Sequence, residues 1–236
     1  MVTFTGTKTL ITNALQSRYL LLMARNPGVE DPRKAISMYL VPMDSPGLTT
    51  NKLDKILWHI SDSCEIFLDD VTLSESCLVG IKGNGFKQLM RNFELERLMI
   101  AATCLGLAQC AFDDAADYAA QRVQFGRPIG TFPLIQLKLT DMAIKLENMR
   151  NFVYKTAWMV DQGLPLKSQG AMCKRYCAMS GFEIADEAMQ IFGGVGVTVG
   201  ARISRLRRDL RGHRFGGGTD EIMVHIAGRQ IVKDHS

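Results

Sequence analysis

The spacing of apolar residues changes near Gly80, and this change predicts two kinds of structure. Before it, short runs of apolar and β-branched residues are separated by turn signals such as Asn26-Pro27-Gly28 and Ser45-Pro46-Gly47. These are turns because Pro fixes φ and Gly permits positive φ. Such runs predict an antiparallel sheet, with strands at residues 8–12, 19–24, 35–41, 47–52 and 64–68.

After Gly85 the apolar residues follow the helical period of 3.6. The pattern predicts long helices at residues 86–122, 134–162 and 165–192, then a short Arg-rich helix and a last helix at 219–233. The predicted fold class is α+β: a partial antiparallel β-domain over residues 1–80, followed by an up-down helical bundle over 81–236. The β-region has too little sheet to close a core, so we expect upstream sequence or a partner chain to complete it.

One carboxylate interrupts the apolar pattern of the first helix. Phe86, Leu89, Phe93 and Ile100 form a stripe at helical spacing, and Glu96 projects onto the same stripe. A buried carboxylate costs several kcal/mol unless it is paired or neutralised. Glu96 is therefore predicted to be a general base or one half of a structural ion pair, with Arg97 or a bundle arginine as its partner.

Composition excludes some classes of function. The net charge of +4 over 236 residues is too small to demand an anionic partner. No apolar run approaches the roughly 20 residues of a membrane span, so no membrane span is expected. The six cysteines form no CxxC pair and the four histidines no tight ligand pattern. We predict reduced, mostly buried thiols and no metal site.

Two glycine-rich segments are candidate ligand loops. FGGGTDEI, residues 215–222, allows close backbone approach and offers Thr219 as an N-cap, followed by acidic residues. It predicts either a loop that closes over a flat or phosphorylated ligand or a plain interhelical loop with a good cap. QIFGGVGV, residues 190–197, does not follow a strand, so it is no dinucleotide fingerprint, and alone it indicates a helix C-cap.

Arginines form two further candidate sites. Arg122 ends the first bundle helix beside Gln124 and Phe125, where it either pairs with a diphosphate or is a surface cation at a helix C-terminus. Residues 201–214 hold six arginines. They form either a nucleic-acid-binding face or a short helix whose arginines neutralise carboxylates or bind a nucleotide-like ligand.

The order and spacing of these motifs resemble the acyl-CoA dehydrogenase family over the whole chain. The chain resembles in particular bacterial members of the crotonobetainyl-CoA reductase and fatty acyl-CoA dehydrogenase type. The matching segments are residues 6–13, 64–71, 83–86, 96–97, 122–126, 190–194 and 218–219. The family normally has an all-helical domain before the β-domain, and the resemblance implies that this domain is absent from the present sequence.

The resemblance implies an FAD flavoprotein that forms a dimer of dimers. By motif match, the FAD contacts are Thr12 at the flavin ring, Arg122, Gln124 and Phe125 toward the FAD of a neighbouring subunit, and Gln190, Gly193, Gly194, Thr219 and Glu221 at the adenosine-diphosphate part. Glu94 and Arg97 match positions near the CoA chain. The implied setting is fatty acid metabolism, in the bacterial cytoplasm or, in a eukaryote, the mitochondrial matrix.

The implied reaction is α,β-dehydrogenation of an acyl-CoA thioester. A carboxylate removes the α-proton and the β-hydride passes to flavin N5, after which an electron-transfer flavoprotein takes the electrons. The same site can run in reverse as an enoyl-CoA reductase of crotonobetainyl type. A non-catalytic or nucleic-acid-binding relative is the alternative from another class.

Two residues depart from the family's commonest pattern. Many members carry the base as Glu directly before the Gly-Thr pair, where this chain has Gly217. A minority place Glu on the bundle helix within an E-R pair, and Glu96-Arg97 matches that placement. The backbone N–H of Gly217 is then expected to donate to the thioester oxygen. Pro133 stands where many members have Gln near the flavin phosphates, so that side-chain contact is not expected.

Overall fold

The computed structural model describes all residues from Met1 to Ser236, which form two compact units, Met1–Asn92 and Phe93–Ser236. The strands are β1 (Val2–Thr12), β2 (Tyr19–Arg25), β3 (Ile36–Pro42), β4 (Leu48–Lys52), β5 (Ser63–Leu73), β6 (Val123–Gln124) and β7 (Arg127–Pro128). The helices are α1 (Gly85–Gln121), α2 (Pro133–Asp161), α3 (Lys167–Phe192), α4 (Arg202–Gly212) and α5 (Asp220–Asp234). The predicted α+β class is confirmed, with every predicted strand and helix present.

The first unit contains two antiparallel sheets with a shared core. One sheet has the order β1-β5-β4 and the other pairs β2 with β3. Cys64, Ile66 and Val71 of β5 are fully buried, as is Val41 of β3. The expectation that this region has too little sheet to close a core is therefore wrong, because side chains from both sheets contribute to one apolar cluster.

Strands β1 and β5 are longer than the apolar pattern predicted. They pair from Val2↔Leu73 to Thr12↔Ser63. The outer half of β1, residues 2–7, has threonine at every second position and one glycine, which gives little hydrophobic signal. Exposed polar pairs extend the ladder there, and the hydroxyls of Thr3 and Thr72 lie 2.9 Å apart.

The second unit is a helical bundle that packs on the small residues of α1. Ala101, Cys104, Ala108, Ala111 and Ala115 recur at helical spacing, and all are fully buried. Small side chains let neighbouring helices approach closely, so this face forms the centre of the core. Helix α1 also passes a length-and-composition test for a membrane span. That test is weak for a helix with one face buried in a bundle.

Candidate active site

Glu96 and Gly217 come together in the second unit. Gly217 adopts φ +64°, and a Cβ built on it would lie 3.8 Å from Oε1 of Glu96. The same Cβ would overlap with Cδ1 of Ile100, one turn further along α1. The glycine-rich loop therefore lies directly against the Glu96 turn of α1, and only a residue without a side chain fits there unless Ile100 moves.

The prediction that Glu96 lies on the core-facing stripe is wrong. Glu96 is exposed, and Phe86 of the same stripe is 36% exposed, whereas Arg97 is 5% exposed. The alanine face of α1 enters the core instead, because small residues permit the closest helix contact. Glu96 also makes no hydrogen bond or ion pair, so the alternative of a structural pair with Arg97 is not found either.

Arg97 lies on the buried side of α1, and Glu94 is half-buried. The Arg97 guanidinium lies 6.0 Å from the centre of the Phe93 ring, and its Nε has no hydrogen-bond partner. Burial lowers the pKa of Arg97, and the nearby carboxylates of Glu94 and Glu96 oppose that shift. Arg97 therefore places a positive charge beneath the Glu96 turn.

Sequence reasoning missed Lys174, a buried cation of α3. Its side chain is fully buried, and Nζ donates to the carbonyl oxygens of Gly218 at 2.6 Å and Arg214 at 3.3 Å. Burial lowers its pKa, which the charge of Asp220 partly restores. A signal was present, because Lys174 continues the helical stripe of Ala171, Ala178 and Gly181.

The glycine loop ends at a well-capped helix. The Thr219 hydroxyl accepts a hydrogen bond from the backbone N–H of Ile222, as the sequence predicted for an N-cap. Asp220 is buried and accepts from Nε of Arg214 at 2.7 Å. The backbone N–H of Glu221 and the Thr219 hydroxyl lower the pKa of Glu221, which is an exposed carboxylate.

The Arg122 cluster lies at the other end of α1. Arg122, Gln124 and Phe125 are exposed on the β6–β7 hairpin, and Phe125 has a positive φ of 52° and is 93% exposed. The Phe125 ring packs edge-on against Phe132, with the ring centres 6.2 Å apart. This hairpin therefore presents an aromatic ring, a cation and an amide to solvent.

Gln190, Gly193 and Gly194 lie at the C-terminal end of α3 and are exposed. Gly193 has φ +60°, and a Cβ on either glycine would meet nothing within 4 Å. The rings of Tyr118 and Phe192 stack at 4.4 Å and join the ends of α1 and α3. The hairpin and this glycine turn thus lie at the same end of the bundle.

The predicted cofactor-binding residues of the bundle form two groups that lie far apart. At about 1.5 Å per residue, α1 runs about 38 Å from Glu96 to Gln121, and α3 runs about 27 Å from Lys174 to Phe192. Thr219 and Glu221 belong to the Glu96 end, and Gln190, Gly193 and Gly194 to the other. Thr12, in the first unit, is an exposed residue at the end of β1.

The Arg-rich segment is a helix whose arginines neutralise carboxylates. Arg202 pairs with Asp114, and Arg207 pairs with Asp186. Arg214, just beyond α4, pairs with Asp220, while the Arg211 guanidinium lies 5.6 Å from the Phe215 ring centre. Of the two readings of this segment, the structure therefore favours intramolecular pairing over a nucleic-acid face.

Comparisons with known proteins assign both units to one family. The family model for "Acyl-CoA dehydrogenase, C-terminal domain" matches residues 83–232, and the model for "Acyl-CoA dehydrogenase, middle domain" matches residues 2–71. Over 230 residues the chain is 51% identical to the probable acyl-CoA dehydrogenase YdiO of Escherichia coli strain K12. The aligned region covers 98% of this chain and 60% of that protein.

Solved structures agree with the sequence comparison. An acyl-CoA dehydrogenase from Geobacillus kaustophilus superposes with a TM-score of 0.94 at 31% identity, covering 96% of this chain and 60% of that one. Butyryl-CoA dehydrogenase from Megasphaera elsdenii superposes with a TM-score of 0.92 at 32% identity, covering 98% of this chain and 60% of that one. The chain thus spans about 60% of the length of the relatives it matches.

Proposed function

The chain belongs to the acyl-CoA dehydrogenase family, and from this we propose that it carries out FAD-dependent α,β-dehydrogenation of an acyl-CoA thioester with Glu96 as the base. One observation carries the proposal. Oxygen Oε1 of Glu96 lies 3.8 Å from the point where a side chain of residue 217 would begin. Many members carry their catalytic Glu at that position, so Glu96 delivers a carboxylate from α1 to the place where the loop no longer supplies one.

In this proposal Glu96 removes the α-proton of the thioester. The Gly217 backbone N–H donates to the thioester oxygen as negative charge develops on it. Because Glu96 is exposed in this chain, the bound acyl group itself would displace water from the carboxylate and favour proton transfer. Arg97, buried beneath the same turn, places a positive charge near the Glu96 carboxylate.

The exposed residues fit an FAD site shared between two copies of the chain. FAD, when bound, supplies the hydride acceptor. Thr219 and Glu221 would contact its adenosine-diphosphate part at the Glu96 end, where the ionised Glu221 suits a sugar hydroxyl better than a phosphate.

Arg122, Gln124 and Phe125 would contact the FAD of a second subunit, together with Gln190, Gly193 and Gly194, because about 38 Å of helix separates them from Glu96. The open space above Gly193 and Gly194 leaves room for a ligand. A homo-oligomer, with an electron-transfer flavoprotein as electron acceptor, is therefore part of the proposal.

Replacing Glu96 by Gln tests the assignment of the base. The amide cannot accept the α-proton, so we expect the rate of FAD bleaching by an acyl-CoA to fall by about 10²-fold or more. The absorbance of bound FAD should be unchanged, since the substitution removes no cofactor contact. The measurement is stopped-flow absorbance with butyryl-CoA under anaerobic conditions.

Glu147→Gln is the matched control, because Glu147 is an exposed glutamate of α2 that pairs only with Arg150. It should bleach at the wild-type rate. If Glu96→Gln also bleaches within a few-fold of wild type, another group is the base. If wild-type protein neither retains FAD nor is bleached, the proposed dehydrogenase activity itself is rejected for this chain.

A further inference from the structure

A single buried ammonium group spans the base of the glycine loop. Lys174 Nζ donates to the carbonyl oxygen of Arg214, before the loop, and to that of Gly218, at its end. The residues between these two carbonyls, Phe215 to Gly217, are thereby tied at both ends to one atom of α3. The lysine is fully buried, so solvent does not compete for these hydrogen bonds.

A second brace closes the same segment. The Arg214 guanidinium donates to the Asp220 carboxylate at 2.7 Å, and the Asp220 backbone N–H donates to the Arg214 carbonyl at 3.0 Å. Asp220 also carries a negative charge that acts on the buried lysine. The negative charge thus compensates part of the cost of burying the cation.

Backbone hydrogen bonds from the N–H groups of Phe215 and Gly216 to the Gly212 carbonyl fix only the start of the loop, and its glycines need a further brace. Gly217 and Gly218 adopt φ of +64° and +105°, and glycine has the largest backbone freedom to lose on folding. Gly217 also stands opposite Glu96 and contacts the Ile100 side of α1. A small shift of this loop would therefore change the distance between the Gly217 backbone and the Glu96 carboxylate.

We propose that Lys174 is a positioning residue, which clamps residues 214–218 so that the Gly217 backbone is held at a fixed distance from Glu96. Lys174 does not touch the substrate; it acts through the loop. Its role in catalysis rests on the proposed function, whereas the clamp itself is a property of this chain and can be tested without substrate.

Lys174→Met tests the clamp, because it keeps an unbranched side chain of similar length and removes both hydrogen bonds. Hydrogen–deuterium exchange of the ligand-free protein is the measurement. We expect amides of residues 215–219 to exchange about tenfold faster or more, while amides of α2 keep their wild-type rates. Ile184→Ala, a cavity ten residues along α3, is the control and should leave the loop no more affected than the rest of the bundle.

Two further measurements keep the test decisive. Lys174→Gln keeps N–H donors on a shorter, uncharged side chain, so its loop amides should exchange at a rate between wild type and Lys174→Met. If neither variant folds, wild-type exchange decides: the clamp requires the amides of residues 217 and 218 to exchange more slowly than those of the exposed residues 199 and 200. Equal rates there, or unchanged loop exchange in a folded Lys174→Met, would overturn the proposal.

The catalytic consequence separates positioning from stability alone. With FAD-loaded protein at a temperature where both variants are folded, Lys174→Met should lower kcat more than tenfold and leave KM for acyl-CoA within about threefold. Lys174→Gln should recover part of kcat. A mobile loop with unchanged kcat would reduce Lys174 to a structural role. An inactive wild type with a protected loop would reject the dehydrogenase activity and leave the clamp standing.

Discussion

At the scale of single residues, the site depends on the absence of a side chain at Gly217. A Cβ on Gly217 would overlap with Cδ1 of Ile100, and the backbone there has φ +64°. Gly163, which follows α2, has nearly the same φ of +65°, but a Cβ there would meet nothing within 4 Å. The two glycines therefore separate the conformational requirement for glycine from the requirement for space beside Glu96.

Gly163→Ala should lower the free energy of unfolding by about 1 kcal/mol, because alanine resists positive φ. Gly217→Ala should cost about 1–3 kcal/mol more, since it also crowds Ile100. Ile100→Val removes Cδ1, so in combination with Gly217→Ala it should recover this added loss in a double-mutant cycle. Urea denaturation provides the measurement. Equal losses for the two glycine variants would mean that Ile100 moves aside at no cost.

The sequence predicted part of the site but not which of its residues are buried. The resemblance to acyl-CoA dehydrogenases placed Glu96 and Gly217 in one predicted site, and the Thr219 cap was predicted from residue type. The side of α1 that enters the core was predicted wrongly, because Phe86 and Phe93 carry a stronger hydrophobic signal than alanine. Lys174 was missed because a lysine within an apolar stripe is read as a surface residue unless its buried partners, two backbone carbonyls, are known.

At the scale of elements, the alanine face of α1 sets the spacing of the bundle. Ala108, Ala111 and Ala115 are fully buried in the largest core cluster, together with residues of α2, α3 and α4. The sequence predicted the helix and its length to within a residue at each end. It did not predict this packing, since alanine favours a helix strongly but marks no face of it.

Ala111→Leu should destabilise the protein by about 1–3 kcal/mol, because three more carbon atoms must enter a packed core. Ala102→Leu is the matched control, since Ala102 is exposed on the same helix and both residues are strong helix formers. It should change the free energy of unfolding by less than about 0.5 kcal/mol. Thermal unfolding followed by circular dichroism compares them. A neutral Ala111→Leu would show that the neighbouring helices separate freely.

At the scale of the whole molecule, the cysteines report on both units. Cys64 is buried in the β unit, and Cys104, Cys173 and Cys177 are buried in the bundle. All six are free thiols, and only Cys77 and Cys110 are partly exposed. Burial raises the pKa of Cys64 and Cys77, and it raises that of Cys104 to about 12. The reactive species is the thiolate, so burial protects Cys64 and Cys104 twice, by limiting both access and ionisation.

Titration of the native protein with a chromogenic aromatic disulfide at about pH 8 should therefore modify Cys77 and Cys110 first, with Cys77 slowed by its raised pKa. All six thiols should react in guanidinium chloride. Cys110→Ser should remove one of the early equivalents and leave the slow ones unchanged. Because Cys64 and Cys104 lie in different units, mass mapping of any third early site would identify which unit opens first. Early modification of Cys104 would contradict the closed bundle in which Lys174 and the glycine loop are held.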